Sequence, residues 1–136
     1  NTLSDTLLIM RRVFKTRHFS RWMRKTELTD SALCLAMVEM EAGLIDADLG
    51  RGVIKKRVAL PGRGKSSGAR TLLATNRGSR WFFVFGFEKN DRGNISDKEL
   101  DALQRIAADL LRLASHELDV HVASEALMEI CNDSEE

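Results

Sequence analysis

Between residues 53 and 87, three segments rich in Val, Ile, Leu, Thr and Phe follow one another on connections too short to hold a helix. Val53–Leu60, Arg70–Thr75 and Arg80–Phe87 are separated by the Gly/Ser loop PGRGKSSG and by Asn76-Arg77-Gly78-Ser79, a tight hairpin candidate. A parallel crossover needs a dozen or more residues, so this spacing predicts antiparallel pairing. The run WFFVFGF is apolar at successive rather than alternate positions, which predicts the innermost strand of the sheet.

Helical periods flank this centre. Arg11–Lys15 fits a short strand, and residues 17–27 then place Phe19, Trp22 and Met23 at i, i+3 and i+4. Leu28–Asp30 breaks that helix. Thr29 or Asp30 caps a second one to about Ala42, with Leu33, Ala36, Met37 and Met40 on its buried stripe. Gly43 closes it and the acidic linker IDADLG follows. Ser96-Asp97-Lys98-Glu99 is a capping box opening a third helix, with Leu100, Leu103, Ile106, Ala107, Leu110 and Leu111 on one stripe. From His116 to Ile130 the pattern predicts a short helix and a brief apolar strand, LMEI. Helix, helix, strands, helix is the order of an α+β fold rather than of a parallel α/β sheet. Residues 1–10 are expected to be a flexible extension, 11–115 the main domain, and 116–136 an acidic C-terminal helix, strand and tail.

The net charge of +1 conceals a partition into blocks. Residues 11–25 carry seven basic side chains and no acidic one, and residues 26–50 carry six acidic and no basic. Residues 51–92 hold eleven Lys/Arg against Glu88 and Asp91; residues 93–136 hold three basic against eleven acidic. Solvated faces that neutralise one another are the ordinary outcome of scattered charge. Here the cationic block coincides with the strands, whose side chains have only two faces to occupy, so several cations share one surface. Such a surface suits phosphates. The acidic C-terminal segment is then a candidate mask for it.

Other classes fall away. No run of 18 apolar residues is present, so a transmembrane helix is not expected. Cys34 and Cys131 lack CxxC spacing and a histidine pair, which excludes a zinc finger, an iron–sulfur protein and a disulfide-rich module. Cys34, among Leu33, Leu35 and Ala36, reads as a small buried hydrophobe, and a reducing cytoplasm is the expected location. GRGKSSG resembles the tail of a P-loop, but Ala59 stands where its first glycine belongs and a strand follows. His116 and His121 lack a third ligand, and His18, in the basic helix region, reads as exposed or capping, with membership of a site as the alternative. No metal or cofactor is expected.

Residues two apart on a strand face the same way, so Lys55 and Arg57 project together, away from Ile54 and Val58. Arg70 opens the neighbouring strand and returns to the same end of the sheet; Lys89, just past the third strand, completes a ring of four cations. Arg63 and Lys65 reach over it from the loop, and Lys56, on the Ile54 side, lies at the rim.

These residues resemble a known family. GVIKKRVALPGRGKSSGARTLLA, RWFFVFGFEKNDRGNI and the helix KELDALQRIAADLL look like the RelE/HigB toxins of bacterial toxin–antitoxin pairs, over roughly residues 11–130. The resemblance implies a small α+β domain, a small antiparallel β-sheet packed against helices on one face with its other face binding mRNA, which cleaves mRNA in the ribosomal A site and is neutralised by a small helical antitoxin, helix-turn-helix in type. It places the catalytic cations at Lys55, Arg57, Arg70 and Lys89, with Asn90 beside the last; on the present reading of the charges, Lys56, Arg63, Lys65, Asn90 and Arg92 are the expected RNA contacts. One departure stands out: RelE itself uses a tyrosine near its C-terminus, and this chain has none.

Metal-free RNA cleavage needs a base for the 2′-hydroxyl, cations for the phosphorane charge and an acid for the leaving 5′-oxygen. Arg57 and Arg70 suit phosphate clamping, Lys55 the base and Lys89 the acid. Strand alternation leaves open whether Glu88 faces the groove as a competing base. Phe85 and Phe87 read as core, with base stacking as the alternative. Two further readings fit the same scaffold: a non-enzymatic toxin of the gyrase-poison type, and a nucleic-acid-binding regulator without catalysis.

Overall fold

A computed structural model describes residues 11–64 and 67–132; the expected N-terminal extension lies outside them. The elements are β1 (Arg12–Thr16), α1 (Arg17–Met23), α2 (Asp30–Glu41), β2 (Ala47–Gly50), β3 (Val53–Val58), β4 (Ala69–Thr75), β5 (Arg80–Glu88), α3 (Asp97–Leu111), α4 (Ser115–Ala123) and β6 (Leu127–Ile130). They form one six-stranded sheet of order β2-β3-β4-β5-β1-β6 in an α+β fold. The β3–β4 and β4–β5 pairs are antiparallel, as the short connections require, and β5 lies in the interior of the sheet. The exception to antiparallel pairing is β1, which lies parallel to β5.

Local chemistry sets the helix ends. Thr16 and Thr29 cap α1 and α2, their hydroxyls accepting from the N–H groups of Phe19 and Ala32. At α3 the capping box forms in full: Ser96 accepts from the Glu99 N–H, and the Glu99 carboxylate accepts from the Ser96 N–H at 2.8 Å. The first helix ends at Met23 rather than residue 27, because Thr26 turns its hydroxyl back onto the Met23 carbonyl at 2.7 Å.

The expectation of helices on one face does not hold. Phe19, Met23, Leu33, Met37 and Met40 of α1 and α2 pack on one side, against Val13, Ile54, Val58, Leu73, Trp81 and Phe83. Leu103, Ala107 and Leu118 of α3 and α4 pack on the other, against Phe14, Val53, Leu72, Ala74, Phe82, Val84 and Leu127. A strand apolar at every position, as WFFVFGF is, needs a cover on both sides. Each large side chain so buried contributes roughly 1.5–3 kcal/mol.

Three further expectations are corrected. The linker IDADLG supplies β2, because Asp46 to Asp48 pair with β3 before Gly50 (φ 89°) bulges the edge. The acidic C-terminal segment is no loose mask: β6 pairs with β1 at the edge remote from β3, and Glu129 and Asp119 neutralise Arg12 there. Cys34 is not a free thiol but is bonded to Cys131, which ties α2 to the end of β6 across 97 residues.

Candidate functional site

Register decides which cations meet. Arg57 on β3 lies directly opposite Arg70 on β4, and Lys55 lies opposite Leu72. Val53 and Leu72 face α3, whereas Ile54 and Val58 face α1 and α2, so alternation puts Lys55, Arg57 and Arg70 together on the α3 face. Asp46 fixes Arg57: one carboxylate oxygen accepts its backbone N–H at 2.6 Å, and the other accepts Nε–H at 3.0 Å. Among the described residues, no carboxylate forms an ion pair with Lys55 or Lys89. Lys89 and Asn90 stand exposed on the turn after β5, and the Lys89 N–H reaches back to the Gly68 carbonyl at 3.4 Å.

Two expected contacts belong elsewhere. Lys56 is only 4% exposed and faces α2, where its ammonium meets Glu39 at 2.8 Å and the Leu44 carbonyl at 2.8 Å. A buried ammonium must be paired, and this one is used up in the core rather than at the rim. Arg63 lies near Glu88 (3.5 Å) and Glu27 (3.8 Å), off the cationic face. Lys65 lies outside the described residues.

The position of Glu88 follows from an irregularity in β5. Between Leu72 and Leu73 the register with β5 slips, so Leu73 pairs with Phe83 while Leu72 pairs with Phe85, leaving Val84 as an extra residue. The slip reverses the facing of everything after it. Phe85 and Phe87 turn to the α3 face beside Arg70, and Gly86 and Glu88 turn to the α1 side. Glu88 is thereby removed as a base for the cationic face.

Beyond Phe83, β5 has no paired residue in β1, and α1 runs beside that stretch instead. A groove opens along it. One part, about 440 Å³, is lined by His18, Arg21, Trp22, Lys25, Phe85, Phe87, Asp91 and Arg92. A second, about 420 Å³, continues past His18 and Phe85 to Ala102, Leu103 and Ile106. The His18 ring lies nearly parallel to Phe85, with centroids 5.8 Å apart. Arg92 stands 5.3 Å from the ring centres of both Phe85 and Phe87. Glu99 holds that guanidinium by two bonds of 3.0 and 2.6 Å, and its own carboxyl is lowered to about 2, first by Arg92 and then by the Ser96 N–H. The capping box thus also positions Arg92. The sequence names Arg92 as an expected RNA contact but gives no sign of the groove that it lines; the one local signal there is His18 in a basic stretch.

A family model described as RelE toxin of the RelE/RelB toxin–antitoxin system matches residues 11–130. No curated protein matches the chain.

Proposed function

This chain belongs to the RelE toxin family of toxin–antitoxin systems, and on that premise we propose that it is a ribosome-dependent mRNA endoribonuclease that inhibits translation. The observation that carries the reading is the register that sets Arg57 against Arg70, with Lys55 two residues along on the same face. In the proposed reaction Lys55, as the free amine, takes the proton of a 2′-hydroxyl. The resulting oxygen attacks the adjacent phosphorus, and the bond to the 5′-oxygen breaks as a proton arrives from Lys89. Arg57 and Arg70, permanently cationic, bind the non-bridging oxygens and stabilise the extra negative charge of the phosphorane. Arg92 and Asn90 extend the contact to neighbouring nucleotides. No metal ion has a part in these steps.

Membership of the family implies a cognate antitoxin, and we propose a small helical one of helix-turn-helix type. Among the described residues no helix is long and apolar enough to cross a membrane. With a ribosome as the proposed target, the proposed location is the cytoplasm. Primer extension on a defined mRNA in a reconstituted translation reaction tests the activity. Cuts that require ribosomes and fade in Arg70→Ala and Lys55→Ala support it. Intact mRNA alongside growth arrest by the same protein would refute it.

A further inference from the structure

We propose that the groove between α1 and the second half of β5 is a subsite that seats one unpaired base of a single-stranded RNA against His18 and Phe85. The proposal rests on the reading of this protein as an RNA-cleaving toxin and names where the strand runs beyond the reacting phosphate.

Three observations converge on it. The first is aromatic surface: Phe85 is half-buried and the exposed His18 lies almost flat beside it, 7° between planes. An aromatic floor with one open side is what an unstacked base requires, and every base offers a π-face to it. The second is charge. Arg21 and Lys25 are exposed cations lining the same stretch, with Arg92 paired to Glu99 and Asp91 nearby, and the two exposed cations suit the phosphates on either side of a stacked base. The third is continuity. The slip at Val84 puts Phe85 and Phe87 on the face that carries Lys55, Arg57 and Arg70, so a strand crossing the cationic row meets the groove without changing sides of the sheet.

Packing keeps the groove in shape. The Trp22 ring lies so close over Gly86 that a Cβ there would sit 2.4 Å from it, so only glycine lets α1 approach this part of β5. Arg92 is held from the far side by Glu99. The wall is therefore formed before RNA arrives, which lowers the ordering cost of binding.

A short single-stranded RNA carrying 2-aminopurine at one position provides the test, since stacking quenches that base. Titration with the intact protein is expected to quench it, and an abasic residue at the same position is expected to weaken binding about tenfold. His18→Ala and the pair Arg21→Ala, Lys25→Ala change exposed side chains and leave the core intact; Phe85→Leu removes the floor. His18→Ala and Phe85→Leu are expected to bind the complete RNA about tenfold more weakly and to lose the distinction between base and abasic site. Equal binding of both RNAs by the unaltered protein, or no effect of His18→Ala and Phe85→Leu, overturns the subsite. Cleavage that still depends on Arg70 would then leave the enzymatic reading standing. Stacking with no cleavage on ribosomes would support the subsite and refute the enzymatic reading.

Discussion

Phe83 and Phe85, two residues apart on one strand, face opposite sides of the sheet: Phe83 packs under α1 and α2, Phe85 beside α3. The extra residue between them, Val84, is a β-bulge, a device that re-aims side chains next to functional surfaces. Without it Phe85 and Phe87 would lie in the α1/α2 core, and Gly86 and Glu88 would face the cationic row.

The close fit of Trp22 on Gly86 is expected to make Gly86→Ala destabilising by about 1–3 kcal/mol, through the shift forced on the indole. Urea denaturation measures it, and combination with Trp22→Leu is expected to recover most of the loss. An unchanged midpoint for Gly86→Ala alone would contradict the packing described.

The Lys56–Glu39 pair predicts an asymmetry. Glu39→Ala strands an ammonium in the core and is expected to cost about 3 kcal/mol, whereas Lys56→Met, apolar and of similar length, is expected to be near neutral. Lys56→Met is also expected to leave RNA cleavage unchanged, because the side chain faces α2. A cleavage defect in a stable Lys56→Met protein would return Lys56 to the RNA-binding set.

Arg57→Ala and Arg70→Ala are each expected to lower the cleavage rate about 10²–10³-fold with little change in stability, as removal of an oxyanion donor does elsewhere. Arg70→Ala is also expected to reduce the salt dependence of RNA binding by about 0.7 in log–log slope, because one phosphate of the strand is no longer neutralised. A slope unmoved by the substitution would mean that Arg70 touches no phosphate.

Oxidation state is expected to change stability. The Cys34–Cys131 bond closes a 97-residue stretch, so breaking it is expected to cost about 2–4 kcal/mol, by release of chain entropy in the unfolded state. In a reducing compartment thiol pools favour the reduced pair, and in an oxidising one the stapled form persists. Thermal unfolding with and without dithiothreitol, against Cys34→Ser with Cys131→Ser, separates this effect from a general effect of reductant.

Acid is expected to act on the α3 cap through Glu99. Its carboxyl titrates near 2 in the folded chain against an ordinary 4.5, so its contribution is complete above about 4.5 and is lost as the pH falls toward 2. Arg92→Met removes the first cause of that depression. Carboxyl chemical shifts followed by NMR are expected to show Glu99 moving back toward its ordinary range in that variant.

Features that depend on neighbours in the chain were legible in the sequence. The cap at Thr29, the Ser96–Glu99 box and the hairpin at Asn76–Ser79 each rest on contacts within a few residues, so spacing alone exposes them. Lys55 and Arg57 could be placed on one face because the period of a strand is fixed by its backbone. The tertiary structure decided what depends on distant partners. Whether β5 continues or slips at Val84 depends on how Leu72 and Leu73 seat in two different cores, and Lys56 is buried because α2 brings Glu39 over it. The parallel insertion of β1 between β5 and β6 and the Cys34–Cys131 bond join residues about 70 to 120 positions apart. Local pattern carries no record of such contacts; they follow from burying two apolar faces of one sheet at once.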